Sequence, residues 1–481
     1  LMNNFKADYD RNNPTAIYDF CQCLIGKSLY DIFGKEIASA IRKGKGGLGQ
    51  MVEELFFNYE VNSDRHADFK EAGVELKCTP LLQTASGYRI KERLVCTMID
   101  YFAIVSTDFA DSHLIHKCRL MLLLFYLHVS GQPSYSYKFL FRVLWSIPEK
   151  DLIIIRNDYE TIAGKVRRGE AHLLSEGDTM YLGACRKGQK GDKLQRQPFS
   201  DEGAKKRAFS LKPAYMRHIL QHVLDSGASH FCNYSIPEQP MLELVKKEEL
   251  AQHPFEQIIK DRFLPYFGKN YTEICEMLGM PPYQSKSKYA DVAALIASEN
   301  TSKRLSHAEE FIKSGIILKT VRIDQRGMPE ESMSFKNIDY DEVYNNDDWI
   351  ESEAYELFTS RFLFAVFQKA GDETISIINS KTGEWAEEPA YVLTKVFFWT
   401  MPQADLTIAE QYWESIRLNV MQNNISLDHF WSISDHRRFH VRPKGTKSSY
   451  INAAHNPNGG VADKFCYWFN ADYVKNIIET N

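Results

Sequence analysis

The chain has 481 residues, a formal net charge of −5, 44% hydrophobic and 25% charged residues. At roughly 150 residues per domain this is two to three soluble domains with sizeable cores. The acidic total argues against a globally basic, nucleic-acid-coating protein but leaves room for a local basic patch. The nine cysteines, from Cys21 to Cys466, are odd in number and scattered, which argues against a disulfide framework or zinc cluster and for reduced thiols in a cytoplasmic setting. The first residues are too polar for a signal peptide. The longest apolar run, from Leu120, is about half the ~20 residues of a membrane span, so no membrane role is expected.

In chain order, Pro14 to Phe33 has the apolar spacing of helix. A glycine-led segment becomes helical from about Leu48 to Phe57, with Val52, Glu53 and Phe56 toward one side. "GVELKCTPL", "ERLVCTMIDY" and "CRLMLLLFYLHV" read as strands of one sheet. Helical spacing returns over Asp158–Glu176, followed by a basic, glycine-rich stretch to about Arg207. "AFSLKPAYMRHILQHVL" reads as a strand entering a helix. Three prolines and alternating charge mark a linker. The expected division is therefore 1–226, a linker over 227–255, and 256–481.

The second half echoes the first. "HAEEFIKSGIILKTV" aligns with "HADFKEAGVELKCT", with Gly315 against Gly73. "SRFLFAVFQ" from Ser360 matches "CRLMLLLFY" from Cys118, and "YWFNADYVKNII" matches "FSLKPAYMRHIL". Three matches in the same order argue for a duplicated domain; the period is far too long for a solenoid.

Within "ADFKEAGVELKCTP", Glu75 and Lys77 are two apart and share one face of a strand. Asp68 lies one short segment upstream. Two converging carboxylates make a hard oxygen site suited to Mg²⁺, and a neighbouring lysine can orient a water or offset charge on phosphorus. A solvated Glu-x-Lys ion pair is the common alternative. The echo weighs against it: Glu310 stands where Asp68 does, Ile317 replaces Glu75, and Lys319 matches Lys77. Glu53, or its neighbour Glu54, could point into this site from the preceding helix. Lys117 is expected to begin the apolar strand beside it, with Thr359 as its uncharged counterpart.

Together, "GLGQMVEELFF", "ADFKEAGVELKCTP" and "SHLIHKC" resemble the MutH family of endonucleases. "YLGACRKG", "QRQPFSD", "KKRAFSLKPAYM" and "HVRP" extend the likeness to the larger two-domain type II restriction enzymes, over nearly the whole chain. The resemblance implies an α/β, restriction-endonuclease-like fold, a mixed sheet flanked by helices, duplicated in two domains. It implies an Asp68…Glu75-x-Lys77 core, Glu53 as the helix glutamate and Lys117 as the second active-site lysine. The spacing from Glu53 to Asp68 is one residue longer than in the shorter members, so Glu54 stays open. The resemblance also implies Mg²⁺-dependent cutting 5′ of the G in 5′-GATC-3′, and a second domain without an active site that binds another copy of the sequence as an effector. A cognate methyltransferase in the same system, though not a physical partner, is expected as well.

Between Arg186 and Arg217 there are ten Lys/Arg against three Asp/Glu, a pattern suited to phosphate contacts. Arg186, Lys187, Arg207, Lys212 and Tyr215 are the candidate DNA contacts, with Arg442 and Lys444 in "HVRPKGTKSSY" as counterparts in the second half. A palindromic site needs two cuts, so a homodimer on double-stranded DNA is expected. A mismatch-repair-type nickase and a non-catalytic DNA-binding regulator are the competing readings.

Overall fold

The computed structural model describes residues 7–34, 37, 47–59, 66–84, 87–188, 191–225, 241–379 and 382–481. Its chain divides into two units, Leu1–Met241 with Ile312–Gly315, and Leu242–Phe311 with Ile316–Asn481. Among the described residues no helix is long and apolar enough to cross a membrane.

Among the described residues nine strands build the first unit: β1 (Glu75–Thr84), β2 (Gly87–Ile90), β3 (Leu94–Met98), β4 (Leu120–Leu127), β5 (Phe139–Ser146), β6 (Leu182–Arg186), β7 (Gln195–Gln197), β8 (Ser200–Ala204) and β9 (Arg207–Leu211). One sheet has the order β2-β1-β4-β5 and a second the order β3-β9-β6, with β7–β8 a separate ribbon. β1 and β4 run parallel with Glu75 opposite Met121, while β2 and β5 add antiparallel edges. The run Met121–Phe125 is fully buried, as a strand covered on both faces must be.

Five helices matter to the site. They are α1 (Pro14–Phe20), α2 (Leu48–Met51, continuing as a π turn over Val52–Phe56), α3 (His113–Cys118), α4 (Glu149–Arg167) and α5 (Pro213–Asp225). α1 and α2 bury Ile17, Val52 and Phe56 with Leu76, Leu122 and Leu124 in one core.

Three expectations need correcting here. β3 belongs to the second sheet, paired with β9, and not to the sheet of β1; alternation along a strand does not say which sheet it joins. The helix expected over 158–176 starts at Glu149, directly after Pro148, and ends at Arg167. Proline fixes that start, and Glu149 and Asp151 favour the first turn. The basic stretch to Arg207, read as irregular, contains β6 and the β7–β8 ribbon.

The second unit repeats this plan. Its strands are β10 (Ile317–Ile323), β11 (Met333–Asn337), β12 (Phe362–Ile378), β13 (Trp385–Trp399), β14 (Phe439–Arg442), the short pair β15 (Ala454–His455) and β16 (Val461–Ala462), and β17 (Cys466–Phe469). The orders β10-β12-β13 and β11-β17-β14 reproduce β1-β4-β5 and β3-β9-β6, and β10 and β12 are again parallel. Its helices include α6 (Lys288–Ala297), α7 (Glu309–Ser314), α8 (Glu353–Phe358), α9 (Gln403–Met421) and α10 (Ala471–Thr480). α4 and α9 have the same length, 19 residues, and both follow a proline cap.

One buried pin is kept in both units. Tyr215 Oη donates to Asp151 Oδ2 at 2.8 Å, and Tyr473 Oη donates to Asp405 Oδ2 at 2.7 Å. Each joins the helix after the last strand to the first turn of the 19-residue helix, so the brace belongs to the scaffold.

The duplication shows its register at two places. Met121 faces Glu75, and Phe362 faces Ile317, so β4 and β12 correspond one residue away from the match that pairs Cys118 with Ser360. Ser112 and Ser352 each cap a six-residue helix. Lys117, fifth in α3, therefore corresponds to Leu357, fifth in α8, and not to Thr359.

The expected linker also changes. Residues 226–240 lie outside the described residues, but the part from Leu242 onward is folded into the second unit. Leu242 bridges to Ala308, Leu244 and Val245 are buried, and Lys247–Leu250 is helical. Glu310, fully buried, accepts from the backbone N–H groups of Leu244 and Val245, both at 3.1 Å. Because Glu310→Ala strands buried donors, it should cost about 2 to 4 kcal/mol. Urea unfolding of the full chain reads this as a lower midpoint for the second unit's transition.

Candidate active site

The site is assembled by a tight turn and three elements. Phe69 and Val74 exchange backbone hydrogen bonds at 2.9 and 3.2 Å, closing a loop around Gly73. Gly73 has φ +65, a left-handed conformation that favours glycine, and Gly315 repeats it at +69. This loop folds Asp68 back onto β1: Leu76 N donates to Asp68 Oδ2 at 2.9 Å, and Asp68 N approaches Glu75 Oε2 at 3.3 Å. The sequence separation between the two acids thus becomes direct adjacency.

Glu75 is the hub. It is 2% exposed, and its Oε1 accepts from Lys77 Nζ at 2.8 Å with Lys117 Nζ at 3.5 Å. Burial alone would pull the Lys77 ammonium down, but Glu75 outweighs it and holds the group above its ordinary range. Burial, then the charge of Glu75, raises the Asp68 carboxyl. Two acids and two lysines therefore share one partly desolvated centre.

Burial distinguishes the two candidates on α2. Glu53 is 7% exposed, with Oε1 buried and without a hydrogen-bond partner, whereas Glu54 is exposed. Burial and the nearby charges of Asp68 and Glu75 raise Glu53 to about 7. It sits on the π turn of α2, an irregularity frequent at functional sites. Lys117 does reach the centre, but from the last turn of α3 and not from the start of the strand as expected.

Two residues went unnoticed in the sequence. Cys96 on β3 and Cys118 at the end of α3 are buried near Lys77. Neither has a local spacing signal, since the pair forms only when the second sheet meets the first.

The DNA-contact candidates divide. Arg186 and Lys187, at the end of β6, are half-exposed, and Arg442 and Lys444 are exposed on the corresponding turn. Three others are inside and are corrected here. Arg207 is 3% exposed and donates to Ala184 O at 2.6 Å. Lys212 is buried against Thr179 O, and Tyr215 is the buried pin described above. A one-dimensional basic cluster looks the same whether its members face solvent or cap the sheet's own carbonyls.

An orphaned buried carboxylate oxygen beside two further acids fits a hard divalent cation. Among the described residues no three His, Cys, Asp or Glu side chains are gathered as a ready cage. A Mg²⁺ ion, which keeps several waters, needs only one or two carboxylates from the protein.

One sheet in each unit holds a parallel strand pair, and in the first unit a buried Asp…Glu-x-Lys centre stands at the start of β1, an arrangement like that of MutH-like, restriction-endonuclease-like folds. Residues 57–158 match the family model for the DNA mismatch repair enzyme MutH. The chain is 29% identical to the type II restriction enzyme Sau3AI of Staphylococcus aureus, over 96% of this chain and 98% of that one. It is 25% and 24% identical to the DNA mismatch repair proteins MutH of Shewanella sp. (strain MR-7) and Shewanella baltica (strain OS185), over 44% of this chain and 96% of theirs. The shorter relatives thus account for less than half of the chain, and the restriction-enzyme relative for nearly all of it.

Proposed function

We propose that this MutH-like deoxyribonuclease is a type II restriction endonuclease that makes Mg²⁺-dependent double-strand cuts at 5′-GATC-3′, 5′ of the G. The observation that carries the reading is the buried Asp68–Glu75–Lys77–Lys117 cluster with Glu53 at its edge, in a chain matched end to end by a restriction enzyme. Asp68 and Glu75 would hold the cation, which when bound polarises the phosphoryl oxygen and acidifies a water.

The chain's own groups do the rest. Lys77 stays protonated beside Glu75, so it cannot serve as a base; it orients the water and offsets charge on the phosphorane. Lys117, on the same carboxylate oxygen, is placed to meet the scissile phosphate. Arg186 and Lys187 supply contacts at the turn after β6, where an Arg or Lys can face guanine O6 and N7. The second unit binds a further duplex without cutting it, and the active form on a palindrome is a homodimer.

Plasmids with one and with two GATC sites test this together. With Mg²⁺, the two-site plasmid should be cut faster, both strands should break in one encounter, and run-off sequencing should place the break 5′ of G. An intact plasmid, or nicks alone, would overturn the restriction reading and, in the second case, favour a mismatch-repair-type nickase.

A further inference from the structure

The second unit retains one member of the catalytic set. Lys319 occupies on β10 the place of Lys77 on β1, two residues beyond Ile317 as Lys77 is two beyond Glu75. Every acid around it is gone or diverted. Ile317 packs into the hydrophobic core where Glu75 would stand. Glu310 is turned to the backbone of Leu244 and Val245. Leu357 replaces Lys117, and Asp291, the acid of α6, accepts from the Tyr283 and Ser287 hydroxyls.

What remains is a lysine with a reversed electrostatic setting. Lys319 Nζ donates to Ser334 O at 2.6 Å and lies 4.2 Å from the centre of the Phe335 ring. β12 presents Phe364 opposite it in register. Ser334 on β11 pairs with Trp468 on β17, which pairs in turn with His440 on β14; Lys444, on the turn after β14, is the charge that acts on Lys319, and no carboxylate is among the groups that do. Carboxylates without neutralising lysines attract a cation; a half-buried lysine with an exposed one acting on it, and no carboxylate, attracts an anion. The same position in the fold has thus changed the sign of the ligand it favours.

We propose that the degenerate centre of the second unit grips a backbone phosphate of bound DNA directly through Lys319 and Lys444, with no metal ion. This rests on the reading above that the second unit binds DNA, and it names how. A duplex is preferred over a free phosphate because Lys444 belongs to a basic turn, "RPKG", that starts with the exposed Arg442 at the end of β14. Burial and then Lys444 lower Lys319 to about 7, so an arriving phosphate should draw a proton onto it.

The test uses the full chain carrying Glu75→Ala, to prevent cutting, in EDTA with a GATC-bearing duplex. The parent should bind two duplexes. Adding Lys319→Met should weaken the second duplex about tenfold and reduce its salt slope by about one, while Lys319→Arg should retain it. Calorimetry in two buffers at pH 8 should show proton uptake with the second duplex in the parent and none with Lys319→Met. Two duplexes bound equally well by Lys319→Met, with no change in salt slope, would overturn this inference alone. A single duplex bound by the unmutated parent would instead overturn the reading of the second unit as a DNA-binding module. Displacement of the second duplex by inorganic phosphate at matched ionic strength would assign the site to a small anion and also overturn the proposal.

Discussion

Glu75→Ala is expected to abolish Mg²⁺-dependent cleavage of a GATC-bearing plasmid, by at least about a thousandfold, equivalent to about 4 kcal/mol of transition-state stabilisation. The size follows from the position of the side chain. Glu75 contacts Lys77 at 2.8 Å and Lys117 at 3.5 Å, and its second oxygen faces the backbone of Asp68. Removing it takes away one of the two proposed cation ligands and the acceptor of both lysines at once. It also leaves Lys77 partly buried without its counter-charge, so some loss of stability accompanies the loss of activity. Glu75→Gln separates the two effects in part: it keeps the shape but not the charge, and one of its two acceptor ends becomes a donor. Single-turnover cleavage, with circular dichroism as the folding control, reads both variants. Cleavage within tenfold of the parent for a folded Glu75→Ala protein would remove this centre from the mechanism.

The second expected result has the opposite sign in stability and activity. Glu53→Gln should stabilise the metal-free protein at pH 8 by up to about 3 kcal/mol while lowering cleavage. The folded carboxyl titrates near 7 against an ordinary value of 4.5. Below about pH 4.5 the group is protonated whether the chain is folded or not, so it has no effect on the balance. Between those values the unfolded chain ionises while the folded one resists, and stability falls as pH rises through 7. Above that, the folded state carries the whole cost of a buried, unpaired charge beside two other acids. Urea unfolding in EDTA from pH 4.5 to 8 should show the gap between parent and variant opening with pH. A gap that is constant with pH, or a variant less stable at pH 8, would contradict the assigned environment of Glu53.

The chemistry at β1 was legible because it is local. Glu75 and Lys77 share a strand face by simple alternation, and Asp68 is brought to them by a loop closed at Gly73. Glu53 could not be separated from Glu54, because adjacent positions on a helix differ only in which of them the tertiary fold covers. Lys117 was placed on the right centre but on the wrong element, since "HLIHKC" is too short to show its period. Arg207, Lys212 and Tyr215 failed for a different reason. Their identities fit a DNA surface, yet their partners Ala184, Thr179 and Asp151 come from distant strands and helices. The duplication was visible from three matched segments, but its one-residue slip at β12 appears only in strand pairing.

The hydrogen bonds that Glu310 makes to Leu244 and Val245 fasten the chain at its entry into the second unit. The acid that stands where Asp68 does in the first unit has a structural duty in the second. Putting glutamate back at Ile317 would not re-arm this half, because the partner acid can no longer be released without unfastening the chain at its entry into the unit. The two halves of the protein therefore use this acid position differently, and one substitution does not make them equivalent.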